Sequence, residues 1–252
     1  MIYIITHKKY KQIIDDGLYK NILVGARNRE VNGNWLKDDE GINISEKNSN
    51  YCELTGIYWI WKNTSDNVVG VCHYRRYFCE KYLHAKTTLL SRKSVDNYLC
   101  ECDIIMPRKV WFHGKTALDF YKKYHDINAW NLMVDTIIKK YPNYKYDIEW
   151  FEGQKRGYCY NMFITNKMVF DKYCEWLFDI LFELEKHINV EKYGVYNKRV
   201  YGFLAERMIN IWIHHNKLCV VELPVYNSEL FSMLWNKTQK YIERKIYRIT
   251  DY

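Results

Sequence analysis

The chain reads as a single α/β domain, a central and mainly parallel sheet flanked by helices, followed by a C-terminal helical extension. Three observations predict this. Short β-branched runs alternate with longer stretches of helical periodicity, the pattern of an α/β layer architecture. The 252 residues are 48% hydrophobic and 17% aromatic, enough to fill one large core. Only three prolines and eleven glycines occur, with no Gly/Ser-rich linker, so residues 1–226 form one domain and 227–252 an appendage.

The elements follow in order. Ile2 to Ile5 forms a first buried strand, and Thr6-His7-Lys8-Lys9 is its polar exit. The opening segment begins apolar rather than basic and is too short for a signal-peptide core. Asn21 to Gly25 is the second strand, and residues 26–48, rich in Asn, Asp and Gly, form a long loop. Asn50 with Glu53 has capping-box spacing, and Tyr51, Leu54, Tyr58 and Trp61 make a helical stripe behind it. Val68 to Cys72 is a buried strand ending in His73-Tyr74-Arg75-Arg76. Leu99 to Pro107 is a further strand carrying Asp103. Thr116–Tyr124 and Asn128–Lys140 are helices, and Pro142 closes the second. Cys159 to Thr165 is a strand interrupted by Asn161, Lys167–Ile188 and Val200–Asn216 are long helices, and Leu218–Val221 is the last strand.

Composition bounds the partners. Lys and Arg outnumber Asp and Glu by 38 to 30, which favours an anionic partner without choosing among phosphorylated small molecules, acidic membranes and nucleic acid. No apolar run approaches the roughly 20 residues that span a bilayer. The eight cysteines contain no CxxC pair, so they read as reduced thiols of a cytoplasmic protein rather than a zinc clip or a disulfide framework. The tail mixes Lys237, Lys240, Arg244, Lys245 and Arg248 with Trp235, Ile242 and Ile246, a composition compatible with peripheral contact on an anionic membrane or with docking on the domain.

Ligands of open α/β sheets bind outside the carboxyl ends of the strands. Three polar clusters fall there: Thr6-His7-Lys8, Ala26-Arg27 and His73-Tyr74-Arg75-Arg76. Together they predict a positive pocket whose planar guanidinium forks suit a diphosphate. P-loop and dinucleotide glycine patterns are absent, which argues against ATPase, kinase and dehydrogenase chemistry. Glu206, on a helix whose buried face is Leu204, Met208, Ile211 and Trp212, is the candidate general base, with Asp147 and Glu152 in reserve on a loop. Asn161, with Met162 beside it, puts an amide into an otherwise apolar strand where it can hydrogen-bond a sugar hydroxyl, and Trp111, Phe112, His113, Trp150 and Phe151 are loop aromatics of the kind that stack on sugars.

Asn43 to Asn48, Tyr51-Cys52-Glu53-Leu54-Thr55, Tyr58 to Asn63 and His73 to Phe78 resemble the motifs of a bacterial family from capsular and exopolysaccharide gene clusters. Ile2 to Lys8, Asn161 to Ile164 and Gly202 to Arg207 extend the resemblance over about residues 1–226. The family's domain was long uncharacterised; its members are regarded as glycosyltransferases, some of them associated with galactofuranose transfer. The resemblance implies a GT-A-like fold, a UDP-sugar donor, and a lipid-linked oligosaccharide acceptor at the inner face of the plasma membrane. It places Thr6, His7, His73, Arg75 and Arg76 on the donor side and Asn161, Glu206 and Arg207 on the acceptor or catalytic side.

Sugar-nucleotide transferases often hold a metal with Asp-x-Asp at the end of a central strand, where this chain has His73-Tyr74-Arg75. Fixed cations are therefore expected to take over part of the metal's task on the departing diphosphate. Asp103 is the carboxylate left for a divalent ion (Mn2+ or Mg2+), whose use stays open, and no metal ligand set is assigned. An inverting hexose transfer is the leading expectation. The alternatives are an RNA-binding module, which lacks its aromatic-glycine signature, and an inactive scaffold of a polysaccharide assembly complex.

Overall fold

Alternation along the first strand shows how the sheet is covered. In a computed structural model, which describes residues 1–12, 14, 17–29, 34–81 and 87–229, β1 (Ile2–Thr6) points Tyr3 and Ile5 into one apolar cluster and Ile2 and Ile4 into another. Successive strand side chains face opposite sides, so a strand buried on both faces is apolar throughout. β2 (Tyr19–Leu23) lies parallel to β1, two residues earlier than the sequence suggests. The expected long loop contains one short strand, β3 (Leu36–Lys37), parallel to β2.

The capping box does not form. Asn50 lies inside a single helical turn, α1 (Asn48–Tyr51), and its Nδ2 donates to the Lys198 carbonyl at 2.9 Å. Cys52 breaks the helix with a left-handed φ of 53° before α2 (Leu54–Asn63) begins. β4 (Val68–His73) matches the sequence expectation. Its Gly70 is required by packing: a Cβ there would meet Ile2 at 2.9 Å and Ile164 at 3.0 Å. The chain then doubles back as β5 (Arg76–Lys81), which also pairs with β6 (Thr88–Leu89), so Arg76 belongs to a strand that the sequence reading omitted.

Residues expected to start the next strand form α3 (Arg92–Glu101), capped by Ser91, and the strand proper is β7 (Ile104–Pro107). β8 (Val110–Trp111) leads to α4 (Ala117–Tyr124) and α5 (Ile127–Lys140). Side-chain oxygens of Thr116 and Asp126 accept from backbone N–H groups in the first turns of these two helices. α6 (Lys145–Glu152) replaces the loop expected around Asp147, and β9 (Arg156–Gly157) pairs with β8. β10 (Phe163–Asn166) is shorter than expected, because Tyr160 and Asn161 take left-handed φ values of 80° and 47°. The long helices α7 (Lys167–Glu185) and α8 (Val200–His215) fall where periodicity put them. β11 (Val220–Leu223) and β12 (Val225–Asn227) complete the sheet.

The principal strand order is β11-β7-β10-β4-β1-β2-β3, parallel except for β10, while β5, β6 and β12 extend the sheet from β4 by antiparallel pairing. α2, α5, α7 and α8 pack on one face; the β5 strand and α3 cover the other. This is the α/β architecture expected, with a single reversed strand at its centre. Among the described residues no helix is long and apolar enough to cross a membrane. The basic tail from residue 230 onward, including the expected membrane-contact segment, lies outside the described residues.

Candidate active site

The carboxyl ends of β1 and β4 open into a cleft of about 830 Å³, walled on the other side by α1, α4 and α8. Thr6, His7, His73, Tyr74, Arg75, Arg76, Glu206 and Arg207 all line it, so the resemblance and the strand-end argument converge on one place.

Its electrostatics are unbalanced. Arg29, Arg76 and Arg199 line the cleft, and among the described residues none has a carboxylate within ion-pairing distance. Arg29 instead donates to the Val24 carbonyl at 2.7 Å, and Arg199 Nε donates to the Cys52 sulfur at 3.1 Å. The Arg76 guanidinium lies over the Tyr160 ring, 4.4 Å from its centroid. Burial and the neighbouring Arg75 lower the Arg76 pKa, the signature of a desolvated cation next to a like charge. Arg75 is partly occupied: its Nη1 lies 3.1 Å from Glu229, which also approaches Lys8 Nζ at 3.7 Å.

The imidazoles are not part of this positive charge. His73 Nε2 lies 2.5 Å from the Tyr160 carbonyl, which only accepts, so that nitrogen carries the proton. Burial pushes the His73 pKa down to about 4, against the favourable carbonyl contact, and the ring is neutral at pH 7. His73 thus ties β4 to the left-handed Tyr160–Asn161 turn instead of presenting a cationic donor. Burial, reinforced by Arg29 and Lys8, also lowers the pKa of His7, which packs edge-on against Tyr74 at 5.4 Å. His125, missed in the sequence, lines the far wall and is held near a pKa of about 4 by burial and by Arg207.

Two carboxylates enter the cleft. Glu206 contacts the Arg207 guanidinium at 2.5 Å, with 19% of its side chain exposed. Burial raises its pKa and nearby Glu53 raises it further, against the opposing pull of Arg207. Glu53 accepts from Asn161 Nδ2 at 2.7 Å. The sequence reading assigned Glu53 to helix capping; its delivery here follows from the Cys52 kink, which no periodicity encodes. Cys52, Tyr160 and Asn161 are three of the five non-glycine residues with positive φ among those described, and they meet at this cleft and the turn behind it. Such strain clusters at functional sites.

Several expected site residues sit elsewhere. Ala26 is buried and donates its N–H to Asp38 at 3.0 Å, and Arg27 points to solvent, paired with Glu46 at 3.2 Å; Arg29 on the same loop takes the cleft position. Lys8 stands over Tyr74 outside the lining. The Thr6 hydroxyl is committed to the backbone of Lys8. Asp103 lies at the amino end of β7, across the sheet from the cleft, and accepts from the Cys219 N–H at 2.8 Å. Met162 is fully buried in the second core cluster, and Asn161 turns inward to Glu53 and the Gly202 carbonyl. Glu152 accepts from the Trp130 indole at 2.9 Å, while Phe112 and Phe151 are core residues. The aromatic wall of the cleft is instead Phe120, Tyr124, Tyr196 and Phe203. Phe120 and Tyr124 were legible as one helix face; that it looks into the cleft was not. Among the described residues no group of three or more His, Cys, Asp or Glu is placed to hold a metal ion.

The family described as Domain of unknown function (DUF4422) matches residues 1–217. Among solved structures, the chain is similar to the WbbM bifunctional glycosyltransferase in its apo form, with 32% identity and a TM-score of 0.81 over 90% of this chain. The match covers 45% of that chain, so this protein spans less than half the length of its structural relative. A comparison with curated proteins gives no match.

Proposed function

Because the chain belongs to the DUF4422 family, we propose that it is a glycosyltransferase of bacterial polysaccharide synthesis, moving a hexose, galactofuranose among the candidates, from a UDP-sugar to a lipid-linked oligosaccharide. The observation that carries this reading is the convergence of Arg29, Arg76 and Arg199, without carboxylate partners among the described residues, on one cleft. Like charges held together are relieved by an anion, and guanidinium forks match phosphate oxygens. A cleft also favours a small anion over a polynucleotide, whose phosphates call for cations spread along a surface.

In the proposed reaction the acceptor hydroxyl oxygen attacks the anomeric carbon from the face opposite UDP. The bond from that carbon to the β-phosphate oxygen breaks, and UDP leaves with the electron pair. The hydroxyl proton passes to Glu206, whose raised pKa makes its carboxylate a stronger base than an ordinary glutamate. Arg76 and Arg199 stabilise the charge that grows on the departing diphosphate. The aromatic wall offers ring faces to the sugar.

Thermal unfolding at fixed salt tests this. UDP is expected to raise the Tm, and Arg76→Ala with Arg199→Ala to remove most of that rise. A chain indifferent to UDP, but whose RNA affinity drops steeply with added salt, would sink the transferase reading.

A further inference from the structure

A second cleft, larger than the first at about 1250 Å³, lies at the opposite end of α8. Eight residues separate Glu206 from His214 on that helix, about 12 Å at its normal rise, so the helix body divides the two clefts. The transferase chemistry uses nothing in the second one.

Its wall is built from matched pairs. Asp147 is 6% exposed and accepts from two imidazoles at once, His214 Nδ1 at 2.6 Å and His215 Nδ1 at 2.7 Å. Each imidazole is also stacked: His214 on Trp150 at 3.7 Å between centroids, His215 on Tyr144 at 3.6 Å. A buried carboxylate is tolerated only when its hydrogen bonds are made, and here they fix two ring edges and an indole in place. The other carboxylate, Glu222, is taken by the Tyr158 hydroxyl at 2.9 Å and approached by Lys109 Nζ at 3.8 Å.

The rim differs. Lys155, Arg156 and Lys217 are exposed, line the cleft, and have no carboxylate in ion-pairing range among the described residues. Tyr146, 70% exposed, adds a ring beside them. The cleft therefore offers a rigid aromatic and imidazole floor with uncommitted positive charge around it. We propose that it binds an acidic saccharide chain. Ring faces cover the sugar C–H surfaces, and rim cations meet carboxylate groups. A concave site with a polar wall suits an extended glycan better than a lipid surface, which needs a convex apolar face. Choosing a saccharide over other polyanions rests on the transferase reading.

Calorimetric titration of the full chain with tetragalacturonate, using maltotetraose as the neutral control, tests the proposal. Tetragalacturonate is expected to bind at least tenfold tighter than maltotetraose. The double substitution Lys155→Ala with Arg156→Ala is expected to remove at least tenfold of that affinity, and Tyr146→Ala a smaller part. UDP-dependent thermal stabilisation of the same variants should match that of the parent chain. All three side chains are exposed, so these variants keep the fold. Equal binding of the two sugars would overturn the proposal. So would binding that ignores the rim substitutions, or tighter binding to a 15-nucleotide RNA or to vesicles of phosphatidylglycerol in phosphatidylcholine. Loss of the UDP response with tetragalacturonate binding intact would count against the transferase reading alone.

Discussion

In the N-terminal half of α8, Glu206 and Arg207 face a cleft where Arg29, Arg76 and Arg199 have no carboxylate partner among the described residues; at its C-terminal end, His214 and His215 divide one carboxylate, Asp147. The first region keeps its charges in excess, its imidazoles neutral and its backbone strained. The second satisfies its wall internally and leaves spare charge only on the solvated rim. Polar groups satisfied by the protein contribute to folding, whereas groups left unmatched contribute little to folding and remain available to a ligand. The two ends of one helix should therefore respond to mutation in different ways, through activity at one and stability at the other.

The largest expected effect lies in the first cleft. Glu206→Gln removes the base and should lower kcat by about 100-fold or more, the usual worth of general base catalysis. Near-parental turnover of the Glu206→Gln variant in a UDP-release assay would overturn the base role of Glu206. In the second cleft, Asp147→Asn leaves two imidazole donors poorly matched and should cost about 1–3 kcal/mol of stability by urea unfolding, while the UDP response stays. If that variant loses UDP binding instead, the two regions are not independent.

Acid titration sharpens the contrast further. His73 and His125 have folded pKa values near 4 against an ordinary value of 6.5, so between those limits the unfolded chain binds more protons. Their neutral forms support the fold fully above pH 6.5, and that support is lost as pH falls toward 4. Chemical denaturation between pH 7 and pH 4 should show falling stability, and His125→Gln should flatten the decline. An unchanged slope in that variant would show that the decline comes from other groups.

Much of the architecture was legible because it rests on local patterns. Val68 to Cys72 is apolar at every position, as a strand covered on both faces must be, and α5, α7 and α8 announce themselves by their helical period. The errors fall where long-range contacts override local signals. Asn50 has the spacing of a cap, yet bonds the Lys198 carbonyl, 148 residues away. Asp103 sits next to a strand, but at the wrong end of it, because strand direction decides which edge a residue reaches.

The sequence by itself determined the α/β class, the buried strands and the His73–Arg76 cluster at a strand end, since hydrophobic period and residue chemistry are properties of neighbours along the chain. Only the tertiary structure decided which charges remain unmatched. Arg27 and Arg29 lie two residues apart, and one pairs with Glu46 in solvent while the other lines the cleft. Glu229 reaches Arg75 across 154 residues of sequence, and Glu53 meets Glu206 through a kink at Cys52. Such pairings depend on Coulomb and hydrogen-bond contacts at a few ångströms, distances set by how the layers pack rather than by any spacing along the chain.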